Sequence, residues 1–517
     1  MGGKRKKLFY ICFFLLFVAV GCTQILFKPR ALDNAALETR PTVESLLQTV
    51  PGGERTLTPE PLWLATLEPQ KELTFLGVTG EEDHTYGALL EIDLSNERLR
   101  YLPLPADALP LSILAKPEQR AALEELVAAW PEGRGPLVEP LVRDIPLHKV
   151  SGRLTFPIPQ PKQIFAVAAN YPSHLFTDLS LPGKSELIDL LRHARPRLFQ
   201  KYPPVAAPGD SLLSMSPFAE QPGPFGSIMA PAQVRVPTLG DQNRSVTGHL
   251  DYEVEIAVLI GRDLSWDEAH AMTDAELSSV VVGYLLFSDA KVRDPQAMGK
   301  ILQAFREEKV DPDNPYRVGD TALDGTLGTW NEMTCHWWSY AASWGRYAAY
   351  GPLLVASSDK DEFPPRMILS GRSYSSSADR PASPPQSVPK DQLLLRQAVV
   401  TTFVEDYQDA LIWNLPTIIR SLLNPAGNAL AFTGEAPVLY AGDLIALGTP
   451  GGTVVSAKPW WLLPMAENLL FWKTPKDFYK MFFNSTEGDY LHPGDELFLW
   501  GEGLGYQLLQ VDKPRGE

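Results

Sequence analysis

The sequence predicts a mainly β protein with some α, and three observations carry that expectation. Residues 256–260 and 280–287 are strongly apolar runs, rich in β-branched and large side chains, that stop abruptly at polar residues. They read as buried strands, although pattern alone leaves a short buried helix open. Tyr86-Gly-Ala-Leu-Leu-Glu-Ile-Asp93 and its neighbours within 62–102 form short alternating apolar runs, which read as strands of a small N-terminal unit. Residues 117–130 have helical spacing instead, with Leu123, Leu126 and Val127 on one face. Pro117 suits the first turn of that helix, where its missing N–H costs nothing.

The N-terminus bears on the compartment. Lys4, Arg5, Lys6 and Lys7 precede an apolar run at 8–20. That run is short for a membrane span, which needs about 20 apolar residues, and a short apolar core behind basic residues reads as an export signal. Ala19-Val20-Gly21-Cys22 looks like a bacterial lipobox, in which Cys22 would receive lipid and become the mature first residue. An ordinary signal with a chance cysteine, or an uncleaved anchor, is the alternative. Thr23 follows the cysteine, so nothing there resembles the aspartate that retains some lipoproteins in the inner membrane. The expected location is the bacterial cell envelope, lipid-anchored to a membrane, with the periplasmic face of the outer membrane as one option. The expected layout is a signal at 1–21, a polar tether at 22–61, a small N-terminal α/β unit at 62–155 and a main domain at 156–517. Three stretches look like inserts in that domain, near 299–338, 357–390 and 455–489.

Composition narrows the function classes. With 62 acidic against 46 basic residues the formal net charge is -16, and removal of a signal would make it more negative. No basic stripe is present to attract a phosphate backbone, so nucleic acid is not an expected partner. Three cysteines, one of them (Cys12) inside the signal, leave Cys22 and Cys335, which excludes a disulfide framework or a cysteine metal cluster. There is no G-x-S-x-G, and so no nucleophile elbow. Gly501-Glu-Gly-Leu-Gly505 lacks the spacing of a dinucleotide loop and is followed by no helix pattern. The aromatic clusters His336-Trp-Trp338, Trp344, Pro459-Trp-Trp-Leu-Leu463 and Leu470-Phe-Trp472 read first as insert core or subunit contact. A substrate lid or a rest on the bilayer surface is the functional alternative.

Asp251-Tyr-Glu-Val-Glu-Ile-Ala-Val-Leu-Ile260 is the most informative segment. Strand side chains alternate, so Asp251, Glu253 and Glu255 share one face while Tyr252, Val254 and Ile256 take the other. Carboxylates aligned at the mouth of a buried strand repel one another and lose hydration. A hard divalent cation relieves both costs, since Mg²⁺ and Ca²⁺ prefer oxygen ligands. Taken alone, the pattern is more often a solvated strand end. The second apolar run ends in Ser288-Asp289, followed by Arg293, Asp294 and Gln296. Asp289 would complete a three-carboxylate site with open positions for substrate and water, or would simply cap the turn. Arg293 could grip a substrate carboxylate in forked geometry.

Several segments together resemble the fumarylacetoacetate hydrolase family. They are Ile164-Phe-Ala-Val-Ala-Ala-Asn-Tyr-Pro-Ser-His174, Pro196-Arg-Leu-Phe-Gln-Lys201, Pro208-Gly-Asp210 and the acidic strand through Arg262. Gly283-Tyr-Leu-Leu-Phe-Ser-Asp-Ala-Lys-Val-Arg-Asp-Pro-Gln296, Ala441-Gly-Asp-Leu-Ile-Ala-Leu-Gly-Thr-Pro-Gly-Gly452, Leu491-His-Pro-Gly-Asp-Glu496 and Glu502-Gly-Leu-Gly505 follow in family order. The resemblance implies a mixed β-sandwich roll with few helices, usually dimeric. It implies Mg²⁺ or Mn²⁺, with Ca²⁺ as an alternative, on Glu253, Glu255 and Asp289. It implies substrate contacts from Arg293, Gln296 and Thr449, and His174 as a base working through water. Many relatives carry a glutamate three residues after that histidine; here Thr177 stands there, and Asp178 beside it is the candidate to orient His174. Relatives also carry a lysine near the position of Ala342, where Lys300, Lys309 or Arg346 could substitute. The implied activity is cleavage of a carbon–carbon bond in a small 2-oxo or β-diketo acid. Decarboxylation, hydration, isomerisation, or a catalytically silent ligand-binding role are the alternatives.

The lipobox has a direct test. Cys22→Ser should release the protein from the membrane fraction or leave the signal uncleaved. Unchanged fractionation and processed mass would contradict lipidation at Cys22.

Overall fold

In the computed structural model the described residues are 64, 72–79, 84–133, 141–168, 170–172, 174, 192–193, 196–201, 224–228, 250–293, 339, 341–343, 347–357, 367–374, 397–400, 411–424, 438–450, 490–501 and 503–512. All belong to the unit Pro41–Glu517. The first part gives β1 (Thr74–Thr79), β2 (His84–Asp93), β3 (Arg98–Pro103), α1 (Pro110–Leu114), α2 (Pro117–Gly133), β4 (Arg143–Pro146), α3 (Val150–Arg153) and β5 (Leu154–Thr155). The middle gives β6 (Ile164–Ala168), β7 (Arg197–Lys201), β8 (Phe225–Ile228), β9 (Leu250–Asp251), β10 (Val254–Ile260), α4 (Trp266–Ala271), α5 (Asp274–Ser278), β11 (Val281–Ser288) and β12 (Lys291–Val292). The last part gives β13 (Tyr350–Ala356), β14 (Met367–Tyr374), β15 (Gln397–Val400), α6 (Leu415–Leu423), β16 (Leu444–Ala446), β17 (Glu496–Gly501) and β18 (Gly505–Val511). Among the described residues, no helix is long and apolar enough to cross a membrane.

The fold is sheet-dominated α+β, as the sequence predicts. A large sheet runs β4-β3-β2-β1-β13-β11-β10-β16-β6-β7, with β5 added to β1. Its pairs are antiparallel except β16 with β6. A second sheet runs β15-β14-β17-β18-β8, with β18 and β8 parallel. The short pair β12-β9 stands apart. The strands of 74–103 extend the large sheet, because β1 pairs with β13. Met367–Tyr374, within the serine- and proline-rich stretch expected to be an excursion, is strand β14, paired on both sides by β15 and β17. Its apolar start, Met367-Ile-Leu369, suits a strand.

The two apolar runs are neighbouring strands at the centre of the large sheet, and every residue of β10 and β11 is buried. Alternation assigns their faces. Tyr252, Val254 and Ile256 join Tyr284, Leu286 and the second-sheet residues Leu497, Leu499, Leu509 and Val511 in one core. Ala257, Leu259, Leu285 and Phe287 take the opposite face and pack with Ile164, Ala166, Phe199 and helix residues Ile113 and Leu123. Further along β10, Val258 and Ile260 meet Ile418, Ile419 and Leu422 of α6. The β10–β11 connection is fixed by reciprocal caps on its two helices, Ser265 with Glu268 and Thr273 with Glu276, which satisfy otherwise orphaned N–H groups. In α2 the buried stripe is Leu123 and Trp130, with Val127 half-buried between them. Leu126, expected on that face, is exposed, because one residue before Val127 it turns about 100° away from the stripe.

Buried polar side chains pin segments that are distant in sequence. Gln507 of β18 reaches the large sheet, its amide nitrogen 3.1 Å from the Leu286 carbonyl and 3.0 Å from that of Gly351. Asp443 accepts from the Gln163 N–H at 2.9 Å and the Tyr440 N–H at 2.8 Å, tying the start of β6 to the turn before β16. Fully buried Asn170 donates to the Leu447 carbonyl at 2.9 Å and accepts from the Trp413 N–H at 2.9 Å. Asn170→Ala strands both partners, and each buried unpaired group costs roughly 1–3 kcal/mol. Denaturant unfolding should show a loss of about 2–4 kcal/mol; a change within about 0.5 kcal/mol, as for a surface site, would contradict the clamp.

Candidate metal centre

Antiparallel pairing builds the site. Val254 stands opposite Ser288 and Glu255 opposite Phe287. One step further, the Asp289 N–H donates to the Glu253 carbonyl at 2.9 Å. Glu253, Glu255 and Asp289 therefore emerge on the face that carries Ala257 and Phe287. All three are buried, and one oxygen from each lies within 4.8 Å of the others. Among the described residues this is the only such group of metal-ligating side chains. The strand breaks at Tyr252 and Glu253, yet Tyr252 stays in the core with Val254, so the alternating faces expected for 251–256 survive the break.

The loop after β16 closes one side. The Gly448 N–H donates to Glu255 Oε2 at 3.0 Å. Gly448 has φ +97°, and a Cβ there would come within 2.7 Å of the Val167 carbonyl oxygen, so only glycine suits the turn. Thr449 follows, buried, its hydroxyl donating to the Pro450 carbonyl at 3.3 Å. His174 is 8% exposed, and its charge when protonated is felt at Glu253. Asp178, Gln296 and Cys22 lie outside the described residues.

Two lysines that sequence reasoning did not assign complete the cluster. Lys291 is the Cα partner of Asp251 across the β12–β9 pair. Its ammonium donates to Glu253 Oε2 at 2.7 Å and to Asp289 Oδ2 at 2.5 Å. Lys201, fully buried at the end of β7, lies 2.5 Å from Asp289 Oδ1 and donates to the Ala342 carbonyl at 3.1 Å. A lysine thus stands beside Ala342, delivered by β7; Lys300, Lys309 and Arg346 lie outside the described residues. Arg293, expected to face substrate, is engaged within the protein: it donates to Asp251 through Nε at 2.8 Å, and its terminal nitrogen reaches both Asp251 and Glu253. The available signal for Lys291 was its place two residues after Asp289, the same-face spacing of an extended chain.

The electrostatics follow from this crowding. Burial pushes the Glu253 carboxyl up, but Lys291 and Arg293 outweigh it and hold it at about 2. Burial, reinforced by Asp289, pushes Glu255 well above the usual carboxylate range. Burial lowers Lys201, only partly offset by Asp289, whereas Asp289 and Glu253 overcome burial at Lys291 and raise it. An all-oxygen donor set of this kind fits a hard divalent ion. Opposite ligand oxygens lie at most about 4.2 Å apart on Mg²⁺ and about 5 Å apart on Ca²⁺, twice the metal–oxygen distance. The observed span is within reach of small side-chain shifts.

Residues 163–339 match the family described as fumarylacetoacetate (FAA) hydrolase C-terminal. The FAA hydrolase match contains His174, Lys201, Glu253, Glu255, Asp289, Lys291 and Arg293; Thr449 falls beyond it. A search of curated proteins returned no match. Among solved structures, fumarylacetoacetate hydrolase from Exiguobacterium antarcticum is 15% identical, covering 86% of this chain and 100% of its own, at TM-score 0.42. A probable 2-hydroxyhepta-2,4-diene-1,7-dioate isomerase from Mycobacterium abscessus is 19% identical over 86% of this chain and 100% of its own, at TM-score 0.39. Maleylpyruvate hydrolase from Sphingobium sp. SYK-6 is 15% identical over 85% and 100%, at TM-score 0.40. At these identities and TM-scores, the chemistry has to be read from this chain's own residues.

Removing Arg293 alone tests the balance of the cluster. Arg293→Ala leaves Asp251 and Glu253 with an uncompensated buried charge, a defect worth about 3–5 kcal/mol. Chemical denaturation in chelator should show a loss of that order. A loss below about 1 kcal/mol, the range of an exposed pair, would show that Arg293 is not buried against these carboxylates.

Proposed function

We propose that this chain is a divalent-metal-dependent enzyme of the fumarylacetoacetate hydrolase family that cleaves a carbon–carbon bond in a small 2-oxo or β-diketo acid. The observation that carries the reading is the convergence of Glu253, Glu255 and Asp289 from two buried, paired strands, inside the segment that matches the FAA hydrolase family. Mg²⁺ or Mn²⁺ on these carboxylates would supply Lewis-acid stabilisation of charge developing on substrate oxygens.

The protein's own groups would do the rest. His174, itself buried, would take a proton from the attacking water. Thr449, next to the glycine that anchors Glu255, would place a hydroxyl at the rim of the site. Lys201 pairs with Asp289 and Arg293 with Glu253, which would pre-orient the ligand oxygens. Lipid anchoring through Cys22 would set this chemistry in the cell envelope, and dimer formation belongs to the same proposal.

The engagement of Arg293 and Lys291 with the carboxylates favours one second reading, a metal-binding but catalytically silent lipoprotein. A screen of acylpyruvates and oxaloacetate with Mg²⁺ or Mn²⁺ separates the two. The enzyme reading expects turnover that falls roughly 10²–10⁴-fold in His174→Ala. Binding of an oxo acid without turnover, by folded protein with either metal, would establish the silent reading instead.

A further inference from the structure

We propose that Lys291 is a tethered cation occupying the divalent-metal position, so that a metal ion binds only by displacing its ammonium. This rests on the reading of Glu253, Glu255 and Asp289 as the metal ligands.

The hydrogen bonds divide the carboxylate oxygens into two sets. Glu253 Oε1 is held by Arg293, and Asp289 Oδ1 lies against Lys201. The remaining oxygens, Glu253 Oε2 and Asp289 Oδ2, both converge on Lys291 Nζ, at 2.7 Å and 2.5 Å. A bridging contact to one oxygen of each of two adjacent ligands is the place a shared cation takes. Two of the three residues that would hold the ion therefore already share one.

Lys291 is also well built for this position. Its backbone is fixed by pairing with Asp251, so the root of the side chain does not wander. Its ammonium lies over the Phe199 ring, 5.6 Å from the ring centre. Lysine is a compact point charge on a flexible four-carbon stem, able to leave without moving the backbone. Arg293, a rigid fork on two carboxylates, is not.

The charge balance gives the consequence. Asp251, Glu253, Glu255 and Asp289 face Lys201, Lys291 and Arg293. When ionised, the four carboxylates exceed the three cations by one charge. Without Lys291 they exceed the cations by two, the charge of a divalent ion. Lys291 should therefore weaken metal affinity, both by holding two ligand oxygens and by leaving a surplus positive charge when the ion enters.

Mn²⁺ binding to the full chain tests this, with free Mn²⁺ followed by electron paramagnetic resonance. The probe is the metal alone, without substrate. Lys291→Met should bind Mn²⁺ at least about tenfold more tightly than the unaltered protein, because a like charge at contact distance has been removed. Lys291→Gln, which keeps a hydrogen-bond donor, should shift affinity the same way and serves if the methionine variant does not fold in chelator. Adding Glu255→Gln to either variant should undo the gain, which locates it at the triad. If the unaltered protein binds Mn²⁺ through the triad and the Lys291 variants bind no better, Lys291 is not the competitor and only this proposal fails. If no variant binds Mn²⁺, the metal reading fails and takes the proposal with it.

Discussion

Val254 of β10 stands opposite Ser288 of β11, and this register brings Glu253 and Asp289 to adjacent places on one sheet face. A slip by one residue would turn every side chain of β10 to the other side of the sheet. The carboxylates would then enter the core shared with the second sheet, and Tyr252, Val254 and Ile256 would leave it. Apolar burial on both faces thus specifies the position of the acids. The helical connection α4–α5, capped at both starts, fixes how the chain returns into that pairing.

Among the described residues, four carboxylates, two lysines and an arginine are gathered where the strands end. Buried ion pairs of this kind are weak evidence for stability, because desolvation can exceed the Coulombic gain and apolar replacements are often neutral or stabilising. The large sheet has ample apolar surface on either side of β10 and β11, so the fold does not need the cluster to hold together. Its persistence is better understood as preorganisation. Arg293 and Lys201 each hold one carboxylate oxygen of Glu253 and Asp289, and Gly448 orients Glu255 through a backbone N–H that a larger residue in its place would displace. Such groups set ligand geometry in advance, which is what a site for a hard cation needs.

The central strands and the acidic triad were legible in the sequence because alternation against two apolar faces leaves little freedom in where each residue points. The helix at 117–133 was legible for the same reason, although Leu126 shows that a three-residue stripe can be misplaced by one position. Lys201 and Lys291 were not legible. A lysine beside a strand end ordinarily reads as solvated, and only the fold reveals that β7 and β12 deliver both ammoniums to Asp289. The role of 367–374 was hidden for another reason: serine and proline dominate the residues after it and mask a strand whose partners lie far away in sequence. Arg293 was recognised as a site residue, but its engagement with Asp251 depends on the β12–β9 pairing, which no local pattern announces.

Crystals of the full chain grown with Mn²⁺, measured at the manganese absorption edge, test the metal centre most directly. An anomalous peak coordinated by Glu253, Glu255 and Asp289, with the Lys291 ammonium moved off Glu253 Oε2 and Asp289 Oδ2, is the expected result. The absence of a peak among these three carboxylates at saturating Mn²⁺, with Lys291 still bridging Glu253 and Asp289, would contradict it.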